Sequence, residues 1–140
     1  KKLYSLDDLK AMTDIMVIDT YFSRGKAKGT WAAEQHDTFT GVSLYKLLLD
    51  KIGLKTLPMG IKVIGEDGYT KVFTLEEVTG LYMDETRPNA KLEMIIAWSQ
   101  NGTEFKNQSS QPFRIITGQK YEGDYNRQDW VNYAKKILVY

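Results

Sequence analysis

Two Xaa-Gly dipeptides, Asp67-Gly68 and Asn101-Gly102, constrain this fold most, because each follows a β-prone run and suits a tight hairpin turn. Ile61-Lys-Val-Ile64 leads into the first turn and Tyr69–Phe73 leaves it. Leu92–Trp98, the most apolar stretch, leads into the second, and Phe113–Ile116 supplies a further strand. A sheet assembled around such turns is antiparallel or mixed. Directly after the first hairpin, Thr74 to Glu77 has the spacing of a capping box, which predicts a short helix from Leu75 to Thr79.

Ser5-Leu-Asp-Asp8 has the same spacing and predicts a helix running to about Met12. Ile15–Ile18 reads as a strand and the basic, Gly-rich Ser23–Gly29 as a loop. Ser43 is placed to cap a helix whose Leu44, Leu47, Leu48 and Ile52 share one face, with Gly53 as a left-handed C-cap. Asp124–Asp129 reads as a polar loop, Trp130–Lys136 as a helical turn and Ile137–Val139 as a closing strand. Helices and strands alternate without regular βαβ spacing, so the expected class is mixed α/β of the α+β kind, in one domain spanning 1–140.

A chain of 140 residues buries roughly 70% of the surface of its unfolded form, so it folds without disulfides or metal. There are no cysteines and one histidine, which excludes thiolate metal sites and argues against zinc. With 19 basic and 18 acidic residues the net charge is +1, and no global field draws nucleic acid or an anionic membrane. No apolar run approaches the ~20 residues that span a bilayer. The chain begins Lys1-Lys2-Leu3 without methionine, which fits a processed precursor or a piece cut from a larger protein.

The motifs of nucleotide chemistry are missing: there is no Gly-x-Gly-x-x-Gly after a strand and no P-loop. Gly41-Val-Ser43 starts like a nucleophile elbow but ends in Tyr45, so Ser43 is read as a helix cap. His36, with Asp37 and Glu34 beside it in sequence, is a candidate base or an ordinary surface histidine. Asp7-Asp8 and Glu76-Glu77 are explained by helix N-termini, and Asp84-Glu85 reads as a solvated loop pair, with cation binding as the alternative. Asn101-Gly-Thr103 and Asn107-Gln-Ser109 match the glycosylation sequon. Tyr121, Tyr125, Trp130, Tyr133 and Tyr140, interleaved with Lys120 and Arg127, form either a platform for a planar ligand or part of the core.

Three phrases occur in a fixed order: Phe39-Thr-Gly-Val-Ser-Leu-Tyr-Lys-Leu-Leu-Leu49, Asp67-Gly-Tyr through Leu75-Glu-Glu77, and Gln111-Pro-Phe-Arg-Ile-Ile-Thr-Gly118 followed by Trp130-Val131. With Ala97-Trp98 and Asn101-Gly102 between them, the chain from about residue 15 to 140 resembles the molybdopterin-binding domain of the sulfite oxidase family. The resemblance implies that family's mixed-sheet fold, a molybdopterin cofactor and an exported location, periplasmic or at the cell surface. That family attaches its metal through a cysteine after the first strand, where this chain reads Asp19-Thr-Tyr-Phe-Ser23. It also carries a lysine for the pterin phosphate before the tryptophan, where this chain has Gly123–Asp129 with Arg127 as the cation.

The expectation is therefore a divergent, non-catalytic module that binds a small molecule such as a pterin, or a protein partner. The alternative is a molybdopterin-dependent oxidoreductase with a non-cysteine metal ligand, and a third reading is an adhesive module of a cell-surface protein. The expected ligand face combines Arg24, Lys26, Lys28, His36, Arg114, Lys120, Tyr121 and Arg127.

Overall fold

A computed structural model describes residues 3–25, 34–51, 53, 59–107 and 112–140. The first helix, α1 (Leu6–Lys10), opens on the expected capping box. Asp8 N–H donates to Ser5 Oγ at 3.1 Å, and Ser5 N–H donates back to Asp8 Oδ2 at 2.8 Å. Strands β1 (Met16–Ser23) and β2 (Gln35–Ser43) pair antiparallel along their length. Ser43 then caps α2 (Leu44–Lys46), which loosens into a π-helical turn over Leu47–Lys51. Gly53 has the left-handed conformation expected of it, with φ of +70°.

The first hairpin is β3 (Gly60–Gly65) with β4 (Thr70–Thr74), and Gly68 supplies the positive φ of 88° at its tip. A second capping box, Thr74 with Glu77, starts α3 (Leu75–Thr79) on schedule. The expected strand Leu92–Trp98 is divided. Leu92–Glu93 (β6) pairs with Leu81–Tyr82 (β5), whereas Ile95–Gln100 (β7) joins β2. Between the two pieces, the Met94 carbonyl accepts from Leu44 N–H, the start of α2. At the Asn101-Gly102 turn both residues have positive φ, and β8 (Thr103–Glu104) folds back on β7.

Strand β9 (Arg114–Ile116) lies on β7, and β10 (Ala134–Val139) closes against β3. Trp130–Lys136 is not helical. Val131 and Ile115 exchange backbone hydrogen bonds, Tyr133 turns the chain with φ of 51°, and β10 begins at Ala134. The architecture is mixed α/β with short helices, and every described strand pairing is antiparallel.

The larger sheet runs β1-β2-β7-β8 with β9 also on β7, and the smaller runs β10-β3-β4. One core cluster draws on both, with Phe39, Val42, Ile96 and Ile115 from the larger sheet and Ile61, Val63 and Phe73 from the smaller. Within the larger sheet, β2 and β7 approach so closely at a bulge that only Gly41 fits. A Cβ there would stand 2.0 Å from the Ile96 carbonyl oxygen.

Candidate functional site

Asn126 organises the site although it touches none of its space. Its fully buried amide donates to the carbonyls of Phe22 at 2.8 Å and Thr117 at 3.1 Å, and its oxygen accepts from Arg24 N–H. This ties the ends of β1 and β9 to the 3₁₀ turn Asn126–Asp129 and so aims the next side chain, Arg127. The Arg127 guanidinium donates to Ser23 Oγ at 2.7 Å and Gln35 Oε1 at 2.6 Å, with its carbon 5.6 Å from the centre of the Trp130 ring. Trp130 is itself fixed by its indole N–H, which donates to Thr117 O at 2.8 Å, and by edge-on contact with Phe39.

Arg114 faces the same space from the start of β9. Its guanidinium donates to Gln100 Oε1 at 3.2 Å and lies 4.1 Å from the Phe105 ring centre and 5.2 Å from that of Tyr133. Rings on the guanidinium hold it in place without neutralising it. Together with Asn132, Arg114, Arg127, Trp130, Gln35, Asp37 and Gln100 line a cleft of about 130 Å³. A second cleft of about 270 Å³ shares Arg127, Trp130 and Asn132 with the first and adds Asp67, Tyr69 and Gln128.

In both arginines Nε is buried and has no hydrogen-bond partner among the described residues, and the same holds for Asp37 Oδ2. The cations are thus held by neutral oxygens and rings, which leaves their charge available to a ligand. Strand pleating explains which part of β2 takes part. Gln35 and Asp37 point one way and His36 the other, where it packs on Phe22 at 4.9 Å and its Nε2 lies 3.0 Å from Thr86 Oγ1. His36 and Asp37 therefore form no base and orienting carboxylate.

The remaining candidates lie elsewhere. Arg24 pairs with Glu34 at 2.7 Å and Glu85 at 2.9 Å. Lys120 pairs with Glu77 at 2.7 Å, and that hydrogen bond raises the lysine above its ordinary pKa. Burial pushes the Glu77 carboxyl up, but its bonds from Lys120 and from the Thr74 N–H outweigh this and leave it below the usual carboxylate range. Tyr121 is exposed and lines neither cleft. Lys26 and Lys28 fall outside the described residues.

Of the expected face, the fold brings together Arg114 and Arg127. It sets Trp130, from the aromatic stretch read beside Arg127, in the same cleft, and adds Gln35, Asp37, Gln100 and Asn132, which sequence reasoning did not assemble. The alternation of Gln35 and Asp37 was the available signal, and it becomes readable once β2 is known to be a strand. Among the described residues no group of three His, Cys, Asp or Glu converges, and no helix is long and apolar enough to cross a membrane. No family model matches the chain, and no curated protein matches it at a significant level.

Proposed function

We propose that this chain is a divergent domain of the sulfite-oxidase-like, molybdopterin-binding type that acts as a non-catalytic module and binds a planar, anionic, pterin-like ligand. One observation carries the reading. Arg114 and Arg127, unneutralised by any carboxylate within ion-pair distance among the described residues, line one cleft beside the indole of Trp130. Guanidinium groups donate in a fixed fork to oxyanions, and an indole offers a face for stacking, so the pair suits a ring that carries negative charge.

The same residues do not fit a resident molybdenum. The chain has no thiolate, and Ser23, in the segment where the resembled family carries its cysteine, is fully buried with its oxygen accepting from Arg127. An oxidoreductase with an oxygen ligand is the competing proposal, and metal content separates the two. Produced in a host that makes the molybdenum cofactor, the protein is expected to carry oxidisable pterin fluorescence without stoichiometric molybdenum by elemental mass spectrometry. Near-stoichiometric molybdenum or tungsten would overturn the non-catalytic reading. Neither pterin nor metal, together with no binding of added pterin carboxylate, would overturn the ligand class.

A further inference from the structure

The cleft holds one group that an anion-binding role leaves unexplained. Asp37 Oδ1 accepts from Asn101 Nδ2 at 2.9 Å, whereas Oδ2 is buried and has no partner among the described residues. Arg114 and Arg127 line the same cleft, yet no described ion pair joins either of them to Asp37. A carboxylate in a cleft built only for anions repels its ligand.

An ionised carboxylate only accepts, and so it calls for an N–H or O–H on the ligand. A guanidinium only donates, and so it calls for a carbonyl or an oxyanion. The nearby amides are partly committed, because Gln35 Oε1 already accepts from Arg127 and Gln100 Oε1 from Arg114. The ligand edge that meets both demands carries a carbonyl acceptor beside N–H donors on a flat ring. That is the 2-amino-4-oxopyrimidine edge, shared by pterins and guanine. Substituents on such a ring have the adjoining cleft of about 270 Å³ beyond Arg127 and Trp130 to occupy.

Resting on the function proposed above, we infer that Asp37 is the specificity-determining residue of this cleft. It accepts from the amino and ring N–H groups of a 2-amino-4-oxopyrimidine while an arginine donates to the carbonyl or to an attached anion. Asp37→Asn tests this closely, since an amide keeps an oxygen for Asn101 and presents a donor where the carboxylate presented an acceptor.

The full chain is titrated by tryptophan fluorescence and calorimetry with three probes: pterin-6-carboxylate, lumazine-6-carboxylate, whose 2-position is oxo, and guanosine monophosphate. The wild type is expected to bind the pterin at least tenfold more tightly than the lumazine, because the latter leaves the carboxylate facing an acceptor. Asp37→Asn is expected to abolish or invert that preference. Guanosine monophosphate bound as tightly as the pterin would support the edge and make the source a nucleotide.

Equal affinity of the wild type for pterin and lumazine, or a preference unchanged in Asp37→Asn, would overturn the role of Asp37 and leave the pterin reading standing. Failure of all three probes to bind would overturn both. If Asp37→Asn does not fold, the wild-type comparison of pterin with lumazine decides by itself.

Discussion

Two groups of arginines in this molecule stand in opposite electrostatic settings. At one corner Arg87 Nε donates to the buried Asp84 at 2.8 Å, and Arg24 pairs with Glu85. Glu85 also accepts from Gly123 N–H and from the Gln119 amide, and Gln119 in turn donates to the carbonyl of Asp124. There each cation meets a carboxylate, and each carboxylate is tied to backbone. In the cleft Arg114 and Arg127 meet amide and hydroxyl oxygens and aromatic rings. Neutralised charge fastens loops, since removing one partner strands the other. Charge that is held in place but not neutralised keeps its field for something that arrives. The first corner is therefore read as a fastening of loops, and the second as the site of the binding proposed above.

The cleft takes Gln35 and Asp37 from β2 and Gln100 from β7, so the most disruptive substitution lies in the ladder that joins these two strands. Gly41→Ala sets a Cβ 2.0 Å from the Ile96 carbonyl oxygen and 2.7 Å from Ala97 Cα, both backbone atoms that no side-chain rotation relieves. The expected cost is about 3 kcal/mol or more, with binding and stability lost together. Denaturant unfolding measures it, and a variant as stable as the wild type would mean that the two strands separate freely at the bulge.

Asp84→Asn should split the two corners. Asp84 accepts from Thr86 N–H, Thr86 Oγ1 and Arg87 Nε, and the amide retains one acceptor oxygen of the two. A loss of about 1–3 kcal/mol is expected, with ligand affinity unchanged. Burial pushes the Asp84 carboxyl up, but its bonds from Thr86 and Arg87 outweigh that and hold it below the ordinary value. Its contribution is accordingly complete above about pH 4, the unfolded value, and fades as the pH falls through the lower folded value. Asp84→Asn should flatten that acid limb, and an unchanged limb by thermal unfolding would remove Asp84 from the fastening role.

What could be read in advance follows the range of the interaction. Both capping boxes and the Gly68 turn were legible because they close within a few residues. Strand β2 was missed because Gln35–Thr38 is polar and becomes a strand only through its partners β1 and β7. Trp130–Lys136 has helical spacing, yet Val131 is claimed by Ile115 and Ala134 by Gly65, so tertiary pairing overrides it. Asp124, Asn126 and Asp129 read as a polar loop and are buried, because Asn126 serves the carbonyls of Phe22 and Thr117. In the site, Arg114 and Arg127 drew attention by charge, but so did Lys120 and Arg24, and sequence does not show which cations already have acids beside them.

That last ambiguity sets up the smallest and most selective contrast. Arg114→Gln and Lys120→Gln each remove one positive charge from a chain whose net charge is +1, so any effect of the global field is the same in both. Arg114 loses its place between Phe105 and Tyr133, which predicts about 1–2 kcal/mol of stability and at least a tenfold weakening of pterin-carboxylate binding. Lys120 and Glu77 are partly exposed, with side-chain exposures of 42% and 25%, so breaking their pair should cost at most about 1 kcal/mol and leave binding unchanged. Calorimetric titration of both variants at two salt concentrations makes the comparison. Equal weakening would mean that the ligand responds to net charge alone, and the distinction between neutralised and available arginines would then carry no functional meaning.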